Sequence, residues 1–296
     1  PELQPGNPDE IQYVIARRKA AEPGLASTFV ATAEPHRGEQ SIERVELLPG
    51  SDQEAGAVGV AVHRAGAVDL VHSAPERVSR EWRFGDQTVS VDAEYALVTL
   101  DEAGVARAMI VNGASLRVGE FALEGQAALE APVVAVDPNA NALTIGATVP
   151  DPEALIGRVV ILGNDLQSTS YTVTEAAAVE GGTRLGFGDV LMIVGMGEVA
   201  ATDPAAGAVT SDRDLQGGAR TDRGHHEGRW LFTEERSRGW RIAAVDGTTL
   251  TLQEPPEELE AAFPDADGDG RRLYWIVDAG PGDVCRIPAV TWYERE

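Results

Sequence analysis

Strand-length runs of β-branched and aromatic residues recur along the whole chain, each closed by Gly, Pro, Asn or Asp, and nowhere is a helical apolar period sustained. Runs at 13–16, 27–33, 57–63, 89–91, 95–99 and 106–111 show the spacing of an antiparallel β protein, because branched and aromatic side chains suit a pleated surface and the intervening residues suit tight turns. The fold class expected is all-β: an antiparallel β-sandwich portion followed by a second small barrel or sandwich. Only two segments carry helix signals, 256–263, with Pro at its start and Glu in its first turn, and the shorter 152–156.

The text changes near 125–132 from dense strand alternation to an Ala-rich connection, which sets the expected domains at 1–124 and 125–296. After this boundary a hairpin pattern repeats. Val134-Ala135-Val136-Asp137 leads to Leu143-Thr144-Ile145, and Ala243-Ala244-Val245-Asp246 leads to Leu250-Thr251-Leu252. In both copies a Pro-rich acidic segment and a further strand follow, at 159–162 and 273–277, and a weaker third copy spans 171–185. Repeated hairpins that close on one another imply a barrel or sandwich of duplicated origin.

Charge and cysteine use exclude several classes. Lys and Arg total 24 against 48 Asp and Glu, for a net charge of −24, and Lys19 is the only lysine. Such a field repels nucleic acid and anionic membranes. No run of about 18 apolar residues is present, so no membrane-spanning helix is expected. Cys285 is the only cysteine, which removes intrachain disulfides, CxxC redox pairs and Cys-based zinc sites. Flanked by Val284 and Ile287, it reads as a buried thiol. The chain opens at Pro1 without an apolar signal core and reads as an excised or processed piece of a longer secreted or periplasmic protein.

Residues 13–18, Tyr-Val-Ile-Ala-Arg-Arg, followed by 27–36, Ser-Thr-Phe-Val-Ala-Thr-Ala-Glu-Pro-His, resemble the late β-sandwich strands of heparinase II/III-like polysaccharide lyases. The likeness continues through 42–47 and 67–71, and at the other end through 265–270, 276–283 and 286–288. The resemblance implies a C-terminal antiparallel sandwich that packs on an upstream α/α toroid and meets an anionic or neutral polysaccharide in the cleft between them. In that family the toroid supplies the catalytic Tyr and most of its partners, and this chain contains nothing like a toroid. Three readings follow. The first is an accessory, non-catalytic β region that helps form a glycan cleft. The second is a fragment of an active uronate-polysaccharide lyase contributing residues to its site. The third is a free-standing carbohydrate-binding or scaffold module.

Cleavage beside a uronate needs a base for the C5 proton, a cation for the carboxylate and an acid for the leaving oxygen. His36, Arg17, Arg18 and Glu34 are the candidate catalytic residues. Antiparallel pairing of 13–18 with 27–36 would bring an arginine toward Glu34 or His36, with a cross-strand ion pair as the structural alternative. Adjacent strand residues face opposite ways, so Arg17 and Arg18 cannot clamp one ligand together. Asp265, Asp267 and Asp269 with Gly270 reproduce the first half of a calcium loop, in which alternate carboxylates converge on a hard cation. Its twelfth position is Ile276 in place of Glu, leaving Asp278 or Glu260 to supply the missing ligand; an acidic turn without metal is the alternative. His225, His226 and Glu227 are candidates for a metal site, but they match no HExxH or HxH spacing and are expected to be solvated loop residues. The Trp and Tyr residues are candidates for sugar-stacking platforms, but most fall inside strand patterns and are expected in cores.

Overall fold

The computed structural model describes residues 17, 19, 21, 29–35, 38–51, 56–215, 225–265, 268 and 270–295. Among these the chain is all-β and antiparallel, with one 3-10 turn at Pro152–Leu155 and no α-helix. Segment 256–263 forms turns. The Ala262 amide is shared between the carbonyls of Glu258 and Leu259, so the helical hydrogen bonding expected there stops after one turn.

Two compact units are formed, one from the chain up to Ala127 together with Ala289–Glu296, the other from Ala128–Pro288. The division thus falls at 127/128 in place of 124/125, and the C-terminal segment expected in the second domain belongs to the first. Its alternating sequence Val-Thr-Trp-Tyr-Glu completes the first unit's sheet by pairing with a strand far back in the chain.

The first unit contains β1 (Ile42–Leu47), β2 (Val58–Arg64), β3 (Ala67–Phe84), β4 (Gln87–Asp101), β5 (Gly104–Val111), β6 (Ser115–Val118), β7 (Phe121–Glu124) and β21 (Val290–Glu294). Six of them lie in the order β1-β2-β3-β4-β5-β21, while β6 and β7 extend the sheet from the first half of β4. The register between β3 and β4 jumps from Ser73↔Tyr95 to Val78↔Ala93. A bulge of this kind bends a strand, and the far half of the hairpin carries Trp82 into the same core as Leu48, Leu70, Val98 and Ile110. The Trp82 ring lies so close to Gly59 that a Cβ there would come within 2.8 Å of it, which restricts position 59 to glycine.

Beneath Trp82 sits His72, 2% exposed. Its Nδ1 accepts from Trp82 Nε1 at 3.2 Å and its Nε2 donates to the Ala93 carbonyl at 3.0 Å. Burial depresses its pKa, so the ring is held neutral in one tautomer. On the face opposite this core, Leu47, Val60, Val71, Leu97, Met109 and Trp292 stand in one cross-strand row, and Trp292 is 68% exposed.

The second unit contains β8 (Leu129–Asp137), β9 (Ala142–Ile145), β10 (Val159–Gly163), β11 (Ser168–Thr172), β12 (Glu175–Val179), β13 (Gly182–Gly186), β14 (Ile193–Asp203), β15 (Ala208–Ser211), β16 (Trp230–Thr233), β17 (Gly239–Asp246), β18 (Thr249–Leu252), β19 (Leu273–Val277) and β20 (Val284–Ile287). A seven-stranded sheet runs β11-β10-β20-β8-β9-β13-β12, and six strands close a barrel in the order β14-β15-β18-β17-β16-β19. Leu143, Ile145, Val160, Leu185 and Phe187 centre the core of the sheet, and Leu231, Ile242, Leu250, Tyr274 and Ile276 that of the barrel.

The repeated hairpins are β8–β9 and β17–β18, one in the sheet and one in the barrel. The third copy differs from expectation: residues 171 and 172 pair with β10, and the hairpin there is β12–β13. A closer duplicate of β8–β9 is β14–β15. Asp137 Oδ1 accepts from the amides of Asn139 and Ala140, and Asp203 Oδ1 from those of Ala205 and Ala206. Both turns then close on a left-handed residue, Asn141 (φ 48°) or Gly207 (φ 62°). Asn and Gly are the residues that adopt this backbone at least cost.

Candidate functional site

His36 and Arg18 lie outside the described residues, as does the run 13–16. Arg17 is exposed. Residues 29–35 form no strand, and Phe29 and Val30 are exposed, so the expected cross-strand pairing of this segment is absent over its described part. Glu34 acts locally. Its Oε1 accepts from Ser41 N and Ser41 Oγ, both at 2.6 Å, and fixes the chain where it turns into β1.

At the acidic turn, Asp267 and Asp269 also lie outside the described residues. Asp265 accepts from Gly268 N at 2.8 Å and from Gly270 N at 2.9 Å, so each of its oxygens closes the turn. Asp278, one of the two carboxylates expected to complete a calcium site, is committed elsewhere, and Glu260 stands 3.9 Å from Arg272. Among the described residues no group of three His, Cys, Asp or Glu side chains is placed to hold a metal.

Asp278 belongs to a buried polar network in the second unit that the sequence reading missed. Its Oδ1 accepts from Arg229 Nε at 2.7 Å and its Oδ2 from the Tyr171 hydroxyl at 2.6 Å. Arg229 also donates to the His225 carbonyl at 2.7 Å. Beside this pair lies Asp283, with a fully buried carboxylate that accepts from Arg241 Nη2 at 2.6 Å, Asn164 Nδ2 at 3.2 Å and Gly280 N at 2.9 Å. His226, expected in solvent, is 9% exposed. Burial, reinforced by the adjacent Arg229 charge, holds its pKa down to about 4. Burial and the Asp278 carboxylate push the Tyr171 phenol in the opposite direction, so it serves as a donor and not as a base. Tyr171, Arg229 and Asp278 thereby join β11, the turn before β16 and the end of β19 in the interior of the second unit. Cys285 is buried as expected, and burial pushes its thiol up to about 12.

An accessible concavity lies in the first unit, where the β3–β4, β4–β5 and β6–β7 turns meet. It encloses about 790 Å³ and is lined by apolar Leu100, Val105 and Phe121 together with polar Gln87, Thr88 and Ser90. A second hollow of about 350 Å³ shares Ser90 and Arg117 with it. Those two residues are direct partners on β4 and β6, so the hollows adjoin and together make one groove. Its larger part falls in the range of small-molecule sites, roughly 300–1,000 Å³. On β4, Thr88 and Ser90 face outward because they alternate with core positions Val89 and Val91.

Three barrel tryptophans are each covered by an arginine. Arg236 lies 4.0 Å from the Trp275 ring, Arg238 5.3 Å from Trp240 and Arg241 5.3 Å from Trp230. No family model matches the chain, and no curated protein or solved structure matches it either.

Proposed function

We propose that this chain is an accessory β region of a secreted or periplasmic polysaccharide-lyase-like protein, engaging glycan alongside an α/α toroid supplied upstream. The groove of the first unit carries this reading. A sugar offers hydroxyls at its edge and C–H groups on its faces, and a lining that combines Gln87, Thr88 and Ser90 with Leu100, Val105 and Phe121 offers groups for both. The non-catalytic assignment is supported by the burial of Tyr171, His226 and Arg229. These are residue types suited to proton transfer and carboxylate binding, and they are 4%, 9% and 8% exposed, beyond reach of a polymer.

The test compares this chain with the full-length protein on several uronate polymers, following formation of the unsaturated product by ultraviolet absorbance, alongside glycan binding by calorimetry. Binding without turnover in the isolated chain is the expected result. Robust turnover that His36→Ala abolishes would establish the alternative, an active lyase fragment using His36, Arg17, Arg18 or Glu34. Full binding by the first unit with no effect of an upstream domain would favour a free-standing module.

A further inference from the structure

We infer that the groove takes neutral, hydroxyl-rich sugar residues and disfavours uronate. This rests on the glycan reading above and narrows it to one class of sugar. The charged side chains lining the two hollows are Arg80 and Arg117 against Asp86, Glu120, Glu81 and Asp92. Two of these six are already satisfied by partners on the same sheet. Arg117 donates to Glu124 at 2.8 Å, and Asp92 receives a two-pronged contact from Arg77 at 2.8 and 2.6 Å. Asp86, Glu81 and Glu120 then remain as the acids of the groove, while Arg80, opposite Val91 and in step with buried Trp82, stands on the other face of β3 from Glu81 and has contacts of its own.

Ionised carboxylates only accept hydrogen bonds, so a ligand that satisfies them must donate. Sugar hydroxyls donate. A uronate carboxylate brings another acceptor and another negative charge, into a lining with twice as many acids as arginines and a chain of net charge −24. The serine, threonine and glutamine of the lining add groups that donate and accept equally, which suits vicinal hydroxyls. In a mixed polymer the groove grips the neutral residues and leaves uronate to whatever the rest of the protein supplies.

The experiment is calorimetric titration of the intact chain, at low and at physiological salt. The probes are neutral gluco-, manno-, xylo- and galacto-hexasaccharides and a galacturonate hexamer. At least one neutral probe should bind at least tenfold more tightly than the galacturonate at low salt, with the gap narrowing as salt screens the repulsion. Ser90→Trp, which fills the groove at a half-buried outward position, should abolish binding with the melting temperature retained. The double change Asp86→Asn with Glu120→Gln should raise affinity for galacturonate. Tighter binding of galacturonate than of every neutral probe at low salt overturns this inference and leaves the glycan reading standing. Absence of binding to any probe overturns both.

Discussion

Removing the Asp278 carboxylate tests whether the buried network holds the second unit together. The Asp278 side chain is 4% exposed and that of Arg229 10%. Asp278→Ala therefore leaves a guanidinium without its anion in a place water reaches poorly, and the Tyr171 hydroxyl without its acceptor. Breaking one side of a buried pair costs about 3–5 kcal/mol. For a unit of this size each kcal/mol moves the melting temperature by roughly 2–4 °C, so a fall on the order of 10 °C is expected. Tyr171→Phe should cost less, about 1.5–3 kcal/mol, because Asp278 keeps Arg229. Replacing both charges, Asp278→Leu with Arg229→Met, should recover much of the loss, since two apolar groups leave nothing unpaired. Denaturant unfolding read by tryptophan fluorescence measures this directly, because Trp230, Trp240 and Trp275 all report on the barrel. If Asp278→Ala costs under about 1 kcal/mol, or the double change costs as much as both singles together, the network is not the lock described.

The stability of the second unit should fall as pH drops from 6.5 toward 4, since the unfolded chain protonates His226 in that window and the folded one does not. The gap between 6.5 and about 4 amounts to about 3 kcal/mol at the lower end, and His226→Gln should flatten the slope in pH-resolved denaturation. Trp82→Phe should cost at least about 2 kcal/mol in chemical denaturation and Trp292→Ala under about 1, because the first ring is 2% exposed and the second 68%. At the acidic turn, calcium is expected to raise the melting temperature slightly above sodium of equal ionic strength, with the difference lost in Asp267→Ala; equal temperatures would reduce the turn to the backbone closure made by Asp265.

The all-β class was legible because each strand carries its own alternation and each turn its own Gly, Asn or Asp, which are local signals. The hairpins β8–β9 and β17–β18 were readable for the same reason, and the β14–β15 copy was readable too, since Thr202-Asp203-Pro204 repeats the turn of Val136-Asp137-Pro138. What the sequence hid is long-range. Nothing local to 290–294 says that its partner is β5, and nothing near His226 announces that Arg229 will be drawn inward by a carboxylate at 278. The groove was equally hidden, because its lining combines β4 residues with three turns that are far apart in the sequence. The resemblance rested partly on 13–18 and 27–36, and its described part, 29–35, shows no strand to support the pairing it implied.

The second unit hangs between two neighbouring strands. Its chain begins at β8 and leaves by β20, where Leu129 pairs with Ile287 and Glu130 with Arg286, the latter also an ion pair at 3.0 Å. Because the strands are antiparallel, both ends emerge from the same end of the ladder. A load applied across them meets the rungs one at a time, as in opening a zipper, where a shearing load would strain all of them together. Four paired positions, 129–132 against 284–287, stand between such a pull and the core, and Cys285 lies among them. A pull applied directly across the two ends of this unit would therefore open the neck early and uncover a thiol that is otherwise sealed.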